Sequence, residues 1–249
     1  MIMHNGSIII TGGVKRLGGK IADFLSAAGW RVLRTSHEPN SAADIIVDLR
    51  KEGSEEALLA KAREILGDEE PYALINNAAL YKAPQEDILK VNYLAPKRLS
   101  ELFASLGKAP KCIINILDAA IYDKANDEAA LARIGFSSYA KSKILLRDWT
   151  LQAAKLLAPK ARINAIAPGA VLAPEAIHEK APVMPFPRPQ PVDIAKAAEF
   201  LLEAQSTTGL IIPVDGGAIL EGGPQFTAAE KLGAKGSPQY CGAFPPRQS

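Results

Sequence analysis

Tyr139 and Lys143 lie four residues apart in a segment whose apolar residues recur at helical spacing. Residues four apart in a helix share one face, so the two side chains would project together. A free tyrosine has a pKa of about 10 and is a weak acid at neutral pH. A neighbouring ammonium group stabilises the phenolate and lowers that pKa, which would make Tyr139 a usable proton donor. The pair therefore indicates proton transfer by Tyr139 with help from Lys143.

A second candidate acid, Asp118, directly follows an apolar run at 111–117. The run is typical of a buried strand, and the end of a strand fixes a side chain better than a loop does. Asp118 lies 21 residues before Tyr139, so the polar stretch 123–132 must loop out if the two are to meet. Asn126 and Asp127 are nearer to Tyr139 along the chain and are the alternatives. We expect Asp118 to be the residue that assists Tyr139.

A glycine-rich turn at 11–18 lies between the first predicted strand and the first predicted helix. Gly12 and Gly18 permit a tight turn and a close approach of the backbone. The N-terminus of the helix offers unpaired N–H groups and a partial positive charge to an anion. Lys15 and Arg16 add two cations beside it. The turn is therefore a candidate phosphate site.

The end of the second predicted strand indicates which dinucleotide would bind. NAD-specific sites place an acidic residue there, on the ribose hydroxyls. In this chain the position falls on Ser36, and Arg34 and His37 flank it. This pattern favours a 2′-phosphate and so NADPH. Glu38 opposes that interpretation, because a shift of one or two residues would make it a ribose ligand.

Alternating strands and helices would hold these residues in place. Short apolar or β-branched runs predict strands at 7–11, 31–35, 45–48, 72–76, 111–117, 162–167 and 211–214. Apolar residues at helical spacing predict helices at 17–28, 55–66, 88–106, 138–157 and 194–203. The link between the second and third strands is too short for a full helix. The pattern predicts an α/β fold: a single doubly wound Rossmann-type domain with a seven-stranded parallel sheet and helices on both faces.

Two segments depart from this alternation. Prolines crowd the stretch 174–191, so we expect residues 172–192 to form a substrate loop without regular structure. Residues 222–249 form a Gly- and Pro-rich C-terminal tail with one candidate short helix at 227–232. The dinucleotide-binding domain would therefore span residues 1–221.

Composition and charge exclude several classes of protein. The 249 residues carry a formal charge of +2 with scattered basic side chains, which argues against a nucleic-acid partner. No stretch approaches the ~20 apolar residues of a membrane span, and we expect no secretory signal. Cys112 and Cys241 are far apart and form no metal or redox motif. We expect a soluble, cytoplasmic protein with no metal, whose partner is a small-molecule substrate.

Taken together, the motifs resemble those of the short-chain dehydrogenase/reductase family over residues 7 to about 220. The matching positions are the glycine turn, Asp48-Leu49, Asn76-Asn77-Ala78-Ala79, Asn92, Tyr139 with Lys143, Pro168-Gly169 and Val214-Asp215-Gly216-Gly217. The resemblance implies a homotetramer and a nucleotide bound along the carboxyl ends of the strands. The residues expected to contact NADPH are Thr11, Gly12, Arg16, Leu17, Gly18, Arg34, Ser36, His37, Asp48, Leu49, Asn77, Ala78, Tyr139, Lys143, Pro168 and Gly169.

Three departures from the family pattern resemble the pteridine reductases and the dihydromonapterin or dihydrofolate reductases of this family. Asp118 stands where the family places Ser, Arg16 where it has Gly, and Ala173 where a Thr usually follows Pro168-Gly169. In that subgroup the Asp works with the Tyr in proton delivery. An aromatic residue shortly after the Asn-Asn-Ala motif stacks on the pterin, and Tyr81 lies at the matching offset.

The resemblance implies specific roles for these residues. The expected catalytic residues are Asp118, Tyr139, Lys143 and Asn92. Asn92 would anchor a helix and a proton-relay water, and Lys143 would also hold the nicotinamide ribose. The expected substrate contacts are Arg16, Tyr81, Asp118 and Tyr139. The implied reaction is NADPH-dependent hydride transfer to a pterin or dihydrofolate-type substrate.

Two other functions stay open. A carbonyl reductase, such as a 3-oxoacyl thioester reductase, would need an apolar slot for an acyl chain, whereas a pterin needs fixed hydrogen bonds and a stacking ring. A dinucleotide-binding sensor without catalysis is the other. The presence of Tyr139, Lys143 and Asn92 argues against the sensor.

The basic residues around the expected adenosine phosphate generate the first prediction. NADPH should bind at least ~10-fold tighter than NADH, about 1.4 kcal/mol, because charge-assisted contacts would hold the 2′-phosphate. Titration calorimetry with the two cofactors measures this ratio. Equal affinities, or tighter binding of NADH, would make Glu38 the ribose ligand instead.

Overall fold

The computed structural model describes residues 6–107, 110–122, 138–171 and 184–221, and seven of its strands form one parallel sheet. The strands are β1 (Ser7–Ile10), β2 (Arg31–Ser36), β3 (Ile45–Ile46), β4 (Pro71–Asn76), β5 (Lys111–Ile116), β6 (Ala161–Pro168) and β7 (Ile211–Val214). Their order in the sheet is β3-β2-β1-β4-β5-β6-β7. The order reverses between β1 and β4, where a doubly wound sheet opens a crevice at the carboxyl ends of its strands.

Helices connect the strands and cover both faces of the sheet. They are α1 (Arg16–Ala27), α2 (Ser54–Leu66), α3 (Gln85–Leu89), α4 (Ala95–Ala104), α5 (Ser138–Leu156) and α6 (Pro191–Glu203). A π-helical turn, Lys90–Leu94, joins α3 to α4 without a break in the helical backbone. Short 3₁₀ turns follow β5 at Ala119–Tyr122 and β7 at Ala218–Glu221.

The core lies in two layers because successive residues of a strand point to opposite faces. In β5, Ile113 packs into the layer that also holds Leu99 of α4 and Trp149 of α5. Its neighbour Ile114 packs into the layer that holds Ile21 of α1 and residues of α6. Residues 111–116 are all buried, so β5 is the centre of both layers. The residue that follows such a strand has little freedom to move.

The predicted fold class is confirmed. The predicted and observed elements differ at the ends of individual strands and helices. No helix forms between β2 and β3, as the short link predicts. The third strand is shorter than predicted, because only Ile45 and Ile46 pair along β2 in the sheet. The helix predicted at 88–106 begins three residues earlier, at Gln85, and contains the π-helical turn.

The predicted substrate loop at 172–192 is wrong in its last two residues, which belong to α6. Pro191 occupies the first helical position, where its fixed φ suits a helix start and its missing N–H costs nothing. Residues 184–190 have no regular structure, as predicted. The polar stretch 123–132, residues 172–183 with Ala173, and the tail 222–249 with Cys241 lie outside the described residues.

A buried polar network ties the centre of the sheet to the helices beside it. The Asn115 side chain in β5 accepts from Asn76 Nδ2 of β4 over 2.8 Å and donates to Thr150 Oγ1 of α5 over 2.9 Å. Asn76 Nδ2 also lies 3.1 Å from Ser100 Oγ of α4. Asn115 is completely buried, so its hydrogen bonds have no competition from water. The network holds α4 and α5 in register with the ends of β4 and β5.

Replacing Asn115 by Ala should therefore destabilise the protein. The change removes two buried hydrogen bonds and leaves a small cavity, and we expect the free energy of unfolding to fall by about 2–3 kcal/mol. Urea denaturation measures the loss. Asn40→Ala, at an exposed turn residue, is the matched control and should change stability by less than about 0.5 kcal/mol. An unchanged midpoint for Asn115→Ala would mean that the network contributes nothing.

Candidate active site

Tyr139 and Lys143 meet Asp118 at the carboxyl end of β5. The Tyr139 hydroxyl donates to Asp118 Oδ2 over 3.0 Å. The Lys143 ammonium is buried, 3 % exposed, and donates to the carbonyl oxygen of Ile116 over 2.8 Å. It also lies 5.7 Å from the centroid of the Tyr139 ring. The three ionisable groups predicted to act together are therefore brought together.

The expected pKa of Tyr139 is wrong in direction. Burial of the phenol and the neighbouring Asp118 carboxylate raise the pKa of Tyr139 well above its usual value, instead of the fall expected from Lys143. Burial lowers the pKa of Lys143 to about 8, and Asp118 partly opposes that shift. Lys143 donates to the Ile116 carbonyl, whereas the Asp118 carboxylate accepts a hydrogen bond directly from the phenol. Tyr139 is consequently a protonated acid at neutral pH.

Asp118 keeps its place despite the long separation from Tyr139. The Leu117 N–H donates to the Ile166 carbonyl over 2.8 Å, which extends the pairing of β5 with β6 by one residue. The Ile121 N–H then donates to the Asp118 carbonyl over 3.1 Å and starts the 3₁₀ turn. Asp118 is thus the residue at which strand becomes turn. The alternatives Asn126 and Asp127 lie outside the described residues.

Asn92 lies in the π-helical turn and is fully buried. Its Oδ1 accepts from the Leu80 N–H over 2.7 Å, and its Nδ2 donates to the Leu80 carbonyl over 2.9 Å. Nδ2 also lies 3.1 Å from Ser142 Oγ, which donates to the Tyr139 carbonyl over 2.6 Å. Asn92 therefore links the loop after β4 to the first turn of α5. Sequence reasoning missed Ser142, because a serine inside a helix carries no signal of such a link.

Tyr81 contacts Tyr139 and directly follows Leu80, whose backbone N–H and carbonyl are hydrogen-bonded to Asn92. The two rings lie 5.1 Å apart between centroids with an interplanar angle of 78°, an edge-to-face contact. Tyr81 is 57 % exposed. The ring predicted to stack on substrate is therefore adjacent to the predicted proton donor and open to solvent.

The glycine turn packs tightly against the end of β4. Thr11 Oγ1 accepts from the backbone N–H groups of Asn77 and Ala78 over 2.9 and 3.0 Å. Asn77 Nδ2 donates to the carbonyl of Gly12 over 3.1 Å. A Cβ on Gly18 would lie 2.2 Å from that same carbonyl oxygen, so this position requires glycine. Five predicted cofactor residues, Thr11, Gly12, Gly18, Asn77 and Ala78, are thus packed together.

Arg16 begins α1 with a positive φ of 51°, and no other non-glycine residue in the described ranges has one. This conformation suits the glycine that the family resemblance expects here, and it costs an L-residue of order 1 kcal/mol. No side chain caps this helix end, and its first turn holds no acidic residue. Leu17, next to it, is partly buried against the α1–α6 layer of the core. The helix end is therefore cationic and open to an anion.

Ion pairs engage the charged residues near the end of β2. Arg34 Nη1 lies 2.8 Å from Asp23 Oδ1 of α1, so its guanidinium is held by a carboxylate. Lys15 Nζ lies 2.5 Å from Glu38 Oε2, and this contact lowers the pKa of Glu38. Ser36 Oγ accepts from the Glu38 N–H over 3.1 Å. The Lys15 ammonium and the Glu38 carboxylate thus form an ion pair between the start of α1 and the end of β2, which the sequence did not indicate.

His37 is exposed, and Thr35, two residues before it, is buried. The Thr35 carbonyl accepts from the Gly13 N–H over 3.1 Å. This bond connects β2 directly to the glycine turn. The Thr35 side chain adds a second link, because its Oγ1 accepts from the Gly12 N–H over 3.4 Å. Sequence reasoning missed Thr35, because both contacts join residues more than twenty positions apart in the chain.

Asp48 and Leu49, two of the residues expected to contact NADPH, differ in exposure. Arg50 binds both oxygens of the Asp48 carboxylate, at 2.9 and 2.8 Å, and this lowers the pKa of Asp48 to about 2. Leu49 is 6 % exposed and packs into the core. The Asp48 carboxylate is therefore ionised and partly exposed, whereas the Leu49 side chain lies in the hydrophobic core.

Pro168 ends β6, and Gly169 comes next, against the end of β7. A Cβ on Gly169 would lie 2.7 Å from Asp215 Cα, so the close approach requires glycine. The buried Asp215 carboxylate accepts from the N–H groups of Gly217 and Ile219 over 2.9 and 2.8 Å. Asp215, which follows β7, therefore packs against Gly169 at the start of the loop after β6.

The described ranges hold no cluster of three or more His, Cys, Asp or Glu side chains placed to bind a metal ion. Within those same ranges, every helix is too short or too polar to cross a lipid bilayer.

Comparison with known proteins adds a family to this geometry. No protein-family model matches the chain. An uncharacterized oxidoreductase of Mycobacterium tuberculosis is 30 % identical over 243 residues, covering 84 % of this chain and 90 % of that protein. A short-chain dehydrogenase/reductase structure from Brucella ovis is 25 % identical with a TM-score of 0.67, covering 84 % of this chain and all of that one. The chain belongs to the short-chain dehydrogenase/reductase family. It is an oxidoreductase.

Two further relatives indicate which subgroup of the short-chain dehydrogenases/reductases the chain resembles. The alternative dihydrofolate reductase FolM of Brucella canis, solved with NADP, is 26 % identical with a TM-score of 0.74 and covers 87 % of this chain and 95 % of its own. The dihydromonapterin reductase of Escherichia coli K12 is 26 % identical over 238 residues, covering 84 % of this chain and 95 % of that protein. The predicted resemblance to this subgroup is confirmed.

For this short-chain dehydrogenase/reductase, the geometry makes Tyr139 the candidate proton donor. Tyr139→Phe keeps the ring and its contact with Tyr81 and removes only the hydroxyl. We expect turnover to fall at least ~10²-fold, because a positioned acid contributes that much. NADPH affinity, measured by calorimetry, should stay within about twofold. Residual activity above a tenth of wild type would show that another group delivers the proton.

Proposed function

We propose that this protein is an NADPH-dependent reductase that transfers hydride to a C=N bond of a pterin or dihydrofolate-type substrate. The observation that carries the proposal is the hydrogen bond between Tyr139 and Asp118, an acid pair at the carboxyl end of β5. The two relatives named for reductions of this kind, the dihydromonapterin reductase and FolM, support it.

The glycine turn and its neighbours fit the cofactor. A rigid turn without space at Gly18, leading into an uncapped helix end, matches the requirements of a pyrophosphate. Thr11, Gly12, Arg16, Leu17, Gly18, Asn77, Ala78, Pro168 and Gly169 would line its path along the strand ends. Bound NADPH supplies the hydride. The NADP in the FolM structure supports the phosphorylated form of the cofactor.

The 2′-phosphate would lie between α1 and the end of β2. Ser36 and His37 are the exposed or half-exposed residues there, and Lys15 adds an ammonium group. Arg34 would have to share its guanidinium with Asp23. Asp48 and Leu49 would bound the adenine, with the Asp48 carboxylate held by Arg50.

Proton delivery would begin at Tyr139, whose raised pKa keeps the phenol protonated. A phenol in this state can donate to the substrate nitrogen as the neighbouring carbon is reduced. Asp118 is half-buried and accepts the phenol hydrogen bond, so it orients the hydroxyl and offers a second group through which a proton is resupplied. Lys143 would donate to the nicotinamide ribose when its ammonium is not on Ile116. Asn92 would act by holding Leu80 and Ser142 in place.

Substrate recognition would use the exposed ring beside this acid pair. Tyr81 is more than half exposed and its ring lies in edge-to-face contact with that of Tyr139, so a flat fused ring stacked on Tyr81 would lie within reach of the phenol. Arg16 is exposed at the start of α1 in a strained conformation, which supports a functional role for its guanidinium. A 3-oxoacyl substrate would gain little from an exposed ring or a carboxylate, so this alternative is disfavoured.

The remaining expectations concern the whole molecule. We infer that residues 1–221 form one catalytic domain, with 172–190 as its substrate loop and 222–249 as a C-terminal tail. We further propose that the protein is a homotetramer, as the family resemblance implies, and that it is located in the cytoplasm. Light scattering after size-exclusion chromatography tests the tetramer, since a monomer of 26.5 kDa would be well separated from it.

Asp118 decides between a pterin reductase and a general carbonyl reductase. A carboxyl group can relay a proton to a ring nitrogen, whereas a serine hydroxyl orients a carbonyl. Asp118→Ser should lower the kcat for dihydropterin or dihydrofolate at least ~10-fold, while NADPH affinity and activity on simple ketones are kept. NADPH oxidation across pterins, folates and acyl thioesters measures this. A lower melting temperature with an unchanged pterin rate would reduce Asp118 to a structural role.

A further inference from the structure

Arg147 lies on α5 one helical turn beyond Lys143, on the face that also carries Tyr139. Its Nη1 donates to the carbonyl oxygen of Ile121 over 2.9 Å. Its Nε donates to Asp148 Oδ1 over 2.7 Å. Ile121 belongs to the 3₁₀ turn next to Asp118. The Arg147 guanidinium therefore links α5, which carries Tyr139, to the 3₁₀ turn that follows Asp118.

Residues 118–122, which we name the 118–122 turn, need such an anchor because no short link ties them to α5. The turn is fixed at its start by the pairing of Leu117 with Ile166 in β6. Beyond Tyr122, residues 123–137 separate the turn from the start of α5 at Ser138. Asp118 and Tyr139 therefore belong to two elements that are 21 residues apart in the chain. Contacts across space must set the distance from Asp118 to Tyr139.

Two contacts of the 118–122 turn with α5 supply that constraint. Ile121 is 4 % exposed and packs in the same core layer as Leu146 and Trp149 of α5. Apolar packing fixes how deep the turn lies, but it has no direction and leaves the peptide groups free to rotate. The charge-assisted bond from Arg147 fixes the Ile121 carbonyl. Because the Ile121 N–H binds the Asp118 carbonyl, orienting this turn also orients Asp118.

We propose that Arg147 is a positioning residue that clamps the 118–122 turn to α5 and so keeps the Asp118 carboxylate in contact with the Tyr139 hydroxyl. The inference rests on the proposed function, since it concerns how Asp118 serves Tyr139. The guanidinium suits this task, because its fork binds Asp148 through Nε and the carbonyl through Nη1 at the same time. Within the part of the chain that the structure describes, the side-chain hydrogen bonds of Arg147 go to Ile121 and Asp148, and none goes to Asp118 or Tyr139.

The first test replaces Arg147 by Gln, which removes the charge and shortens the side chain. We expect kcat for NADPH-dependent dihydropterin reduction to fall roughly 10-fold, because small displacements of a catalytic group are costly. KM and the Kd of NADPH should stay within about twofold. Arg147→Lys retains a cationic donor, so its kcat should lie between those of the wild type and Arg147→Gln. Arg98→Gln, which breaks a half-exposed contact of α4 with Glu56 of α2, is the control and should leave kcat unchanged.

A double-mutant cycle separates positioning from a general structural effect. If Arg147 acts through Asp118, adding Arg147→Gln to Asp118→Asn should lower kcat by less than about twofold beyond Asp118→Asn alone. An equal 10-fold loss in both backgrounds would overturn the inference. Full kcat in Arg147→Gln with wild-type Asp118 would overturn it as well.

Hydrogen exchange tests the clamp without relying on any substrate. The Ile121 amide is protected by its bond to Asp118, so a peptide covering 118–122 should exchange at least ~10-fold faster in Arg147→Gln than in wild type or Arg98→Gln. Unchanged exchange would overturn the inference whatever the enzyme reduces. A wild-type protein that reduces neither dihydropterins nor dihydrofolates would instead refute the proposed function, and faster exchange in Arg147→Gln would still support the clamp.

Discussion

The hydrogen bond from Tyr139 to Asp118 joins the start of a helix to the end of a strand, and the surrounding structure holds those two ends together. β5 is buried on both faces, so the position of Asp118 is a result of the packing of the sheet. α5 is bound to β5 through Asn115 and Thr150, and through Lys143 to the Ile116 carbonyl. The active-site geometry is therefore a consequence of how α5 lies on β5.

The same contact determines the acid–base character of the site. A carboxylate and burial both oppose ionisation of the phenol, so Tyr139 keeps its proton at neutral pH. A site that must deliver a proton during reduction benefits from that state, whereas a dehydrogenase working as a base would require the phenolate. Lys143 stays mostly cationic at neutral pH with a pKa of about 8. The protonated phenol and the cationic Lys143 are thus the states that proton delivery during a reduction requires.

The cofactor end of the site is organised by steric limits and by charge. Gly18 has no room for a side chain between the Gly12 carbonyl and the Asn77 amide, and Arg16 begins an uncapped helix in a strained conformation. The ion pairs of Lys15 with Glu38 and of Arg34 with Asp23 place acids beside the cations that would meet a 2′-phosphate. Both pairs are solvent-accessible, so each is weak enough to rearrange around a bound phosphate.

The sequence by itself determined the α/β order, the glycine turn and the helical pairing of Tyr139 with Lys143, because these depend on local periodicity and on neighbours four residues apart. It also indicated Asp118 through the buried run before it. Only the tertiary structure decided that Asp118 reaches Tyr139, that the pKa of Tyr139 rises, and that Arg34 binds Asp23. It likewise placed Ser142, Thr35 and Arg147. Burial and contacts between residues distant in the chain set these features, and a linear pattern does not encode either.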